Sequence, residues 1–211
     1  MAADDPERAW QTWRETRETL YRTHPESPVL PERRAAFRAL HFPYDPALRL
    51  EAVVEAGGED DAPADPGIAA ASDATVIAGP GLTGPAFGGL TLALPVSTGG
   101  QEELTRIGFV DVPFATGNRR LGVYWMAGYA GGLFLPFRDA TNNRETYGAG
   151  RYLLDTAKSA DLGPGRMPGS LVLDFNFAFH PSCAFDPKWS CPLAPPENVL
   201  DLRIEAGERL A

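Results

Sequence analysis

From residue 48 onward the chain is cut into short runs: "LRLEAVVEA", "DATVIAG", "LTLAL", "TRIGFVDVPF", "RRLGVYWMA", "GGLFLPF", "RYLLD", "SLVLDFNFA" and "LDLRIEA". They are rich in β-branched and aromatic residues and separated by Gly, Pro and Asp, the pattern of strands bounded by turns. No helical pattern of useful length lies between them, which excludes an alternating β-α-β layout and leaves antiparallel pairing. Short connections suit a meander rolled up on itself. The expectation is a mainly β fold, an antiparallel β-barrel or β-sandwich of eight to nine strands.

Ahead of these runs the periodicity is helical. In "DDPERAWQTWRETRETLYR", Asp5 is placed to cap, Pro6 to open the first turn and Glu7 to meet the positive end of the helix dipole. Trp10, Trp13, Leu20 and the stem of Arg17 fall on one stripe. Pro31 and Glu32 open a second, shorter helix. Residues 1–45 therefore read as a helical arm and 46–211 as an antiparallel β domain.

The net charge of -9 argues against nucleic acid, since phosphate neutralisation takes clustered Lys and Arg. It equally disfavours an anionic membrane surface. No apolar run approaches the roughly 20 residues of a spanning helix. "MAADDPERAW" has neither the basic nor the apolar region of a secretory signal. The expectation is an acidic, soluble, cytoplasmic protein whose cysteines are reduced. No cofactor is predicted, and oligomeric state stays open.

Two glycine-rich or acidic segments invite a reading. "GPGLTG" (79–84) spells the dinucleotide pattern, but Pro80 removes an amide from the loop and a strand pattern follows where a helix should start. It reads as a turn. "GGEDDAPADPG" (57–67) reads as an exposed acidic loop.

Two stretches concentrate polar chemistry. In "LFLPFRDATNNRETYGAGRYLLD" (133–155), Arg151 has Glu145 or Asp139 as expected partners for a charge-assisted pair. In "SLVLDFNFAFH", strict alternation puts Leu171, Leu173, Phe175, Phe177 and Phe179 on one face. Val172, Asp174, Asn176, Ala178 and His180 share the other. A pocket bounded by the 139–151 and 174–198 loops would then hold a small polar or anionic molecule. Arg151 would counter its charge, Tyr147, Asp174 and Asn176 would orient it, and Glu145 and Asn198 would lie nearby. The alternative is a buried network that satisfies the fold and binds nothing.

The segment "DFNFAFHPSCAFDPKWSCPLAPPEN" (174–198) holds both cysteines. His180, Cys183 and Cys191 are the residue types of a zinc site, although one ligand short of a structural one. With His180 as base, Cys183 could instead be the nucleophile of a hydrolase-type enzyme. A Cys183–Cys191 disulfide would contribute about 2.6 kcal/mol in the chain-entropy view. The remaining reading is two buried thiols in a proline-stiffened cover. Whether the protein is an enzyme is left open.

"PFRDATNNRETYGAGRYL", "LVLDFNFAFHPSCAFDPKWSCPLAPPEN" and "RIEAGERL", with the N-terminal "HPESPVLPERRAAFRALHFPYDPALRL", resemble the bacterial and archaeal family known as domain of unknown function 1684. The resemblance covers most of residues 8–209. It implies that the 139–151 and 174–198 loops form one unit, and it implies no activity. In the family pattern Asn often stands at the position of His180, which implies that His180 is not a shared ligand.

Overall fold

The computed structural model describes residues 4–57, 70–77, 87–127, 132–156 and 160–210, and of 70–77 and 87–88 the backbone alone. The "GPGLTG" turn and nearly all of the acidic loop lie outside these residues. The arm comes first, as helix α1 (Pro6–Thr23) and the single turn α2 (Pro31–Arg34). Asp5 caps α1 by accepting from the Arg8 amide at 3.1 Å. Eight strands follow: β1 (Arg49–Ala56), β2 (Ala70–Ile77), β3 (Phe87–Pro95), β4 (Gln101–Phe114), β5 (Gly117–Met126), β6 (Gly132–Phe137), β7 (Arg151–Asp155) and β8 (Ser170–Asp174).

All pairings of these strands are antiparallel, in the order β2-β3-β4-β5-β6-β7, with β1 joining β4 to β8. β4 is the longest strand because one of its edges serves two partners. Its first half pairs with β3, from Leu90–Arg106 to Pro95–Gln101, and its second half pairs with β1 at Val54–Val110 to Ala56–Gly108. The changeover coincides with a register shift against β5 between Arg106 and Gly108. An extra residue in one strand bends it and raises its twist, and here the bend curls the sheet.

The result is an open half-barrel, neither the closed barrel nor the two-sheet sandwich expected. Closure fails where strand geometry does. After Asp174 the chain turns through a 3-10 turn at Phe175–Phe177, so among the described residues β8 is laddered only to β1, and the β7 edge receives isolated bridges at Tyr152–Phe179 and Asp155–Ala160. The ninth run, 200–206, forms no strand among the described residues.

Both faces of the sheet are covered, which explains why β6 and β7 are buried at every position. The concave side packs Val54, Ile107, Val110, Leu121, Leu135, Phe137, Leu173 and Phe175. The opposite side packs Leu92, Leu94, Tyr124, Phe134, Tyr152, Phe179, Cys183 and Cys191, and α1 and the 178–193 cover lie over it. Trp10 fixes α1 there: its indole N–H donates to the Asn176 carbonyl at 2.8 Å.

Candidate functional site

Arg151 is buried to 1% exposure, and its guanidinium is spent on the protein itself. Nη2 donates to Asp139 Oδ1 at 3.2 Å and to the Ile204 carbonyl at 2.9 Å. Nη1 donates to the carbonyls of Ala206 and Glu208. Asp139 Oδ2 in turn accepts from the Ile204 amide at 2.8 Å. This pair takes the place of a neighbouring strand for the 204–208 backbone, which is why the ninth run needs no ladder. Of the two expected partners of Arg151, Asp139 is present; Glu145 pairs instead with Arg203 at the surface.

The other expected ligand residues also serve the fold. Asp174 pairs with Arg49 at 2.9 Å and accepts from both the amide and the side chain of Asn176. Burial pushes its carboxyl up from the ordinary value despite those bonds. Asn176 clasps the backbone of Asp45, accepting from its N–H and donating to its carbonyl, each at 2.8 Å. Asp174 and Asn176 therefore tie the arm to the sheet. The 3-10 turn breaks the alternation, so Asp174, Asn176 and His180 do not form one polar face. Asn198 bonds to neither Asp174 nor Arg151; it accepts from the Gly122 amide and donates to the Gly122 and Pro136 carbonyls. Beside it, Glu197 accepts from Tyr124 at 2.6 Å and Arg106 at 3.1 Å.

His180 is not disposed to act as a base on Cys183. Its Nε2 accepts from the Tyr147 amide at 3.3 Å, which leaves the ring proton on Nδ1, 3.8 Å from Glu208. Burial pushes the ring down to about 4, with Glu208 opposing. The metal alternative also gives way. Among the described residues no three His, Cys, Asp or Glu side chains are arranged to hold an ion, so His180, Cys183 and Cys191 are not a ligand set.

Cys183 and Cys191 carry thiols, not a disulfide, and each is 5% exposed. The Cys183 amide donates to Cys191 Sγ at 3.4 Å. A hydrogen bond with Cys191, joined by contacts with Ser97 and Tyr147, outweighs burial and lowers the Cys183 thiol to about 6. The phenol of Tyr147 moves the other way, to about 12, chiefly because it is sheltered from water. Tyr147 is thus beside the cysteines rather than beside Arg151's guanidinium partners.

The notable concavity lies on the other side of the cover, against α1. A cavity of about 760 Å³ is walled by Trp13, Leu20, Tyr21, Phe179 and Trp189, with Arg17, Ser27 and Ser182 among its polar groups. Trp13, Arg17, Leu20 and Tyr21 recur at helical spacing along α1, with His24 at its C-cap, so one face of the helix supplies much of the wall. Arg17 forms part of it: Nε donates to Glu208 Oε1 at 2.5 Å and Nη2 to the His180 carbonyl at 3.2 Å. Its guanidinium stacks 4.3 Å from the Tyr21 ring and 4.4 Å from that of Phe179. Burial works against ionisation of Glu208, but Arg17 holds its carboxyl below the ordinary value.

Sequence reasoning found the α1 stripe but not the cavity beside it. Leu20, on that stripe, is 49% exposed at the cavity, while Arg17, credited only with its stem, is buried whole. Periodicity marks which face of a helix is covered; it does not mark where the cover leaves a gap.

No curated protein matches the chain. It is similar to the solution NMR structure of an uncharacterized protein of Haloarcula marismortui, at 25% identity and a TM-score of 0.63, over 100% of this chain and 98% of that one. A match over residues 85–209, more than half of the sequence, establishes that the chain belongs to the family of proteins of unknown function designated DUF1684.

Proposed function

We propose that the protein binds a small molecule with an apolar body and a hydrogen-bonding end, in the cavity between α1 and the cover. The observation that carries this is the cavity itself: about 760 Å³, with Trp13, Phe179 and Trp189 in its walls. Small-molecule sites span roughly 300–1,000 Å³ and are mostly apolar with a few placed polar groups. The indole N–H of Trp189 is buried with no acceptor among the described residues. An unpaired buried donor costs about 1–3 kcal/mol, so a ligand that shifts the Trp189 ring enough for an acceptor to reach this N–H would recover that loss.

This reading keeps the expectation of a small-molecule ligand and moves it away from Arg151. An anion pocket needs a cation able to turn toward the ligand, and the Arg151 and Arg17 guanidinium groups are committed to Asp139 and Glu208. A cytoplasmic setting without nucleic acid or membrane partners belongs to the same proposal, supported by the net charge of -9 and by thiols that suit a reducing compartment.

A thermal-shift screen of a metabolite collection tests it, using the wild type and Leu20→Trp, which fills the cavity. Ligands that raise the melting temperature of the wild type should lose their effect in Leu20→Trp. Ligands that stay equally effective there would overturn the assignment.

A further inference from the structure

We propose that Cys183 and Cys191 form a peroxide-reactive dithiol, in which the Cys183 sulfur attacks and the Cys191 sulfur resolves the product into a disulfide. This is independent of the cavity proposal and rests on how the cover is built. Cys183 sits in a 3-10 turn, Ser182–Ala184. Cys191 sits in a segment laid against the end of β3: the Ser97 amide donates to the Cys191 carbonyl at 2.9 Å, and the Leu193 amide to the Pro95 carbonyl at 2.9 Å. The Cys191 amide returns a bond to Ser97 Oγ at 3.1 Å. Two separately anchored pieces of chain thereby hold the sulfurs together, with Cys191 Sγ 3.4 Å from the Cys183 amide.

The environment distinguishes the two sulfurs. Cys183 Sγ has the Cys191 thiol and the Tyr147 hydroxyl as hydrogen-bonding neighbours, which favour its thiolate. Ser97 contributes less, because its hydroxyl proton is directed to the Trp189 carbonyl at 2.9 Å. Cys191 Sγ accepts the Cys183 amide, a bond that keeps it beside the attacking sulfur. Burial of both restricts the oxidant to something small, so the substrate class is hydrogen peroxide or a short hydroperoxide.

The chemistry balances without a further reagent. The Cys183 thiolate attacks one peroxide oxygen, the O–O bond breaks, and the departing oxygen leaves as water or alcohol after taking a proton. Cys183 is then a sulfenic acid. The Cys191 sulfur attacks it, the S–O bond breaks, and the hydroxide leaves as water with the Cys191 proton. Two thiols lose two electrons, and the peroxide gains them.

The test uses the reduced full-length chain and hydrogen peroxide. Intact mass should fall by two hydrogens, and both cysteines should resist alkylation after denaturation. In Cys191→Ser the reaction should stop at the sulfenic acid, captured by dimedone on Cys183. Capture on Cys191 in Cys183→Ser should be at least about tenfold slower, because Cys183 is the sulfur that the Tyr147 hydroxyl faces. Tyr147→Phe should slow oxidation of the folded protein. Thiols that survive in the folded wild type under peroxide that oxidises the urea-unfolded chain would overturn the proposal. So would equal dimedone capture in the two single variants. If a variant does not fold, the wild-type mass and alkylation still decide.

Discussion

Arg151 is the residue whose removal should be felt most. It neutralises Asp139 and supplies donors to three carbonyls of the 204–208 segment. Breaking a buried ion pair from one side costs about 3–5 kcal/mol because the other charge is left unpaired. Arg151→Ala should lose about that much in urea denaturation. Arg151→Lys should recover little, since an ammonium lacks the planar fork that reaches Asp139 and the carbonyls at once. A loss below about 1 kcal/mol, the level of an exposed pair, would show that the clamp is not structural.

His41 and His180 make the stability depend on pH. Burial lowers both rings to about 4 from an ordinary 6.5, against the pull of Glu208. The unfolded chain therefore takes up these protons first. The stabilisation is complete above about pH 6.5 and is lost as the pH falls toward 4, at about 3 kcal/mol for each ring. Urea denaturation across that interval should show a steep decline that is shallower in His180→Asn. An unchanged slope in that variant would mean that His180 titrates normally in the folded protein.

At the scale of elements, the connection into β7 depends on Gly150. Its φ of +98° lies in the region that side chains avoid, and a Cβ there would collide with the Phe137 carbonyl. Gly150→Ala should destabilise by at least about 1 kcal/mol, more if the turn shifts and pulls Arg151 off the 204–208 backbone. Loss of thermal stability with no loss of Cys183 reactivity would confine the damage to this turn.

Eight of the nine strand-like runs became strands, because β-branched residues between Gly and Pro turns carry a local signal. The ninth, 200–206, carries the same signal, yet its first half bonds to the 138–140 backbone without a ladder and side chains of Arg151 and Asp139 take up Ile204 and Ala206. Nothing local to 200–206 announces that. The alternation over 171–180 misled for a related reason: Asp174 accepts from the Asn176 amide and turns the chain. A polar residue that bonds to its own backbone competes with the ladder, and composition alone does not say which wins.

At the scale of the whole molecule, helical spacing made the arm legible and the short β-branched runs made the β class legible, while the openness of the barrel was not. It follows from contacts between distant segments: the split edge of β4, the isolated bridges to β7 at Tyr152–Phe179 and Asp155–Ala160, and the arm tied to Asn176. The same arrangement makes the cavity, whose walls come from α1, the arm segment 24–28, Ala160 and the cover. No sequence window contains it. Among the described residues no helix is long and apolar enough to cross a membrane.

The central claim is that the cavity against α1 is the binding site and the Arg151 network is scaffold. Titrating the isotope-labelled chain with anilinonaphthalene sulfonate, an apolar probe with a polar end, while following backbone amide resonances tests it directly. Saturable shifts should appear at Trp13, Arg17, Tyr21, Phe179, Ser182 and Trp189, with Asp139, Arg151 and Asn198 unmoved. Saturable shifts centred on Asp139, Arg151 and Asn198, or none at the α1 face, would contradict it.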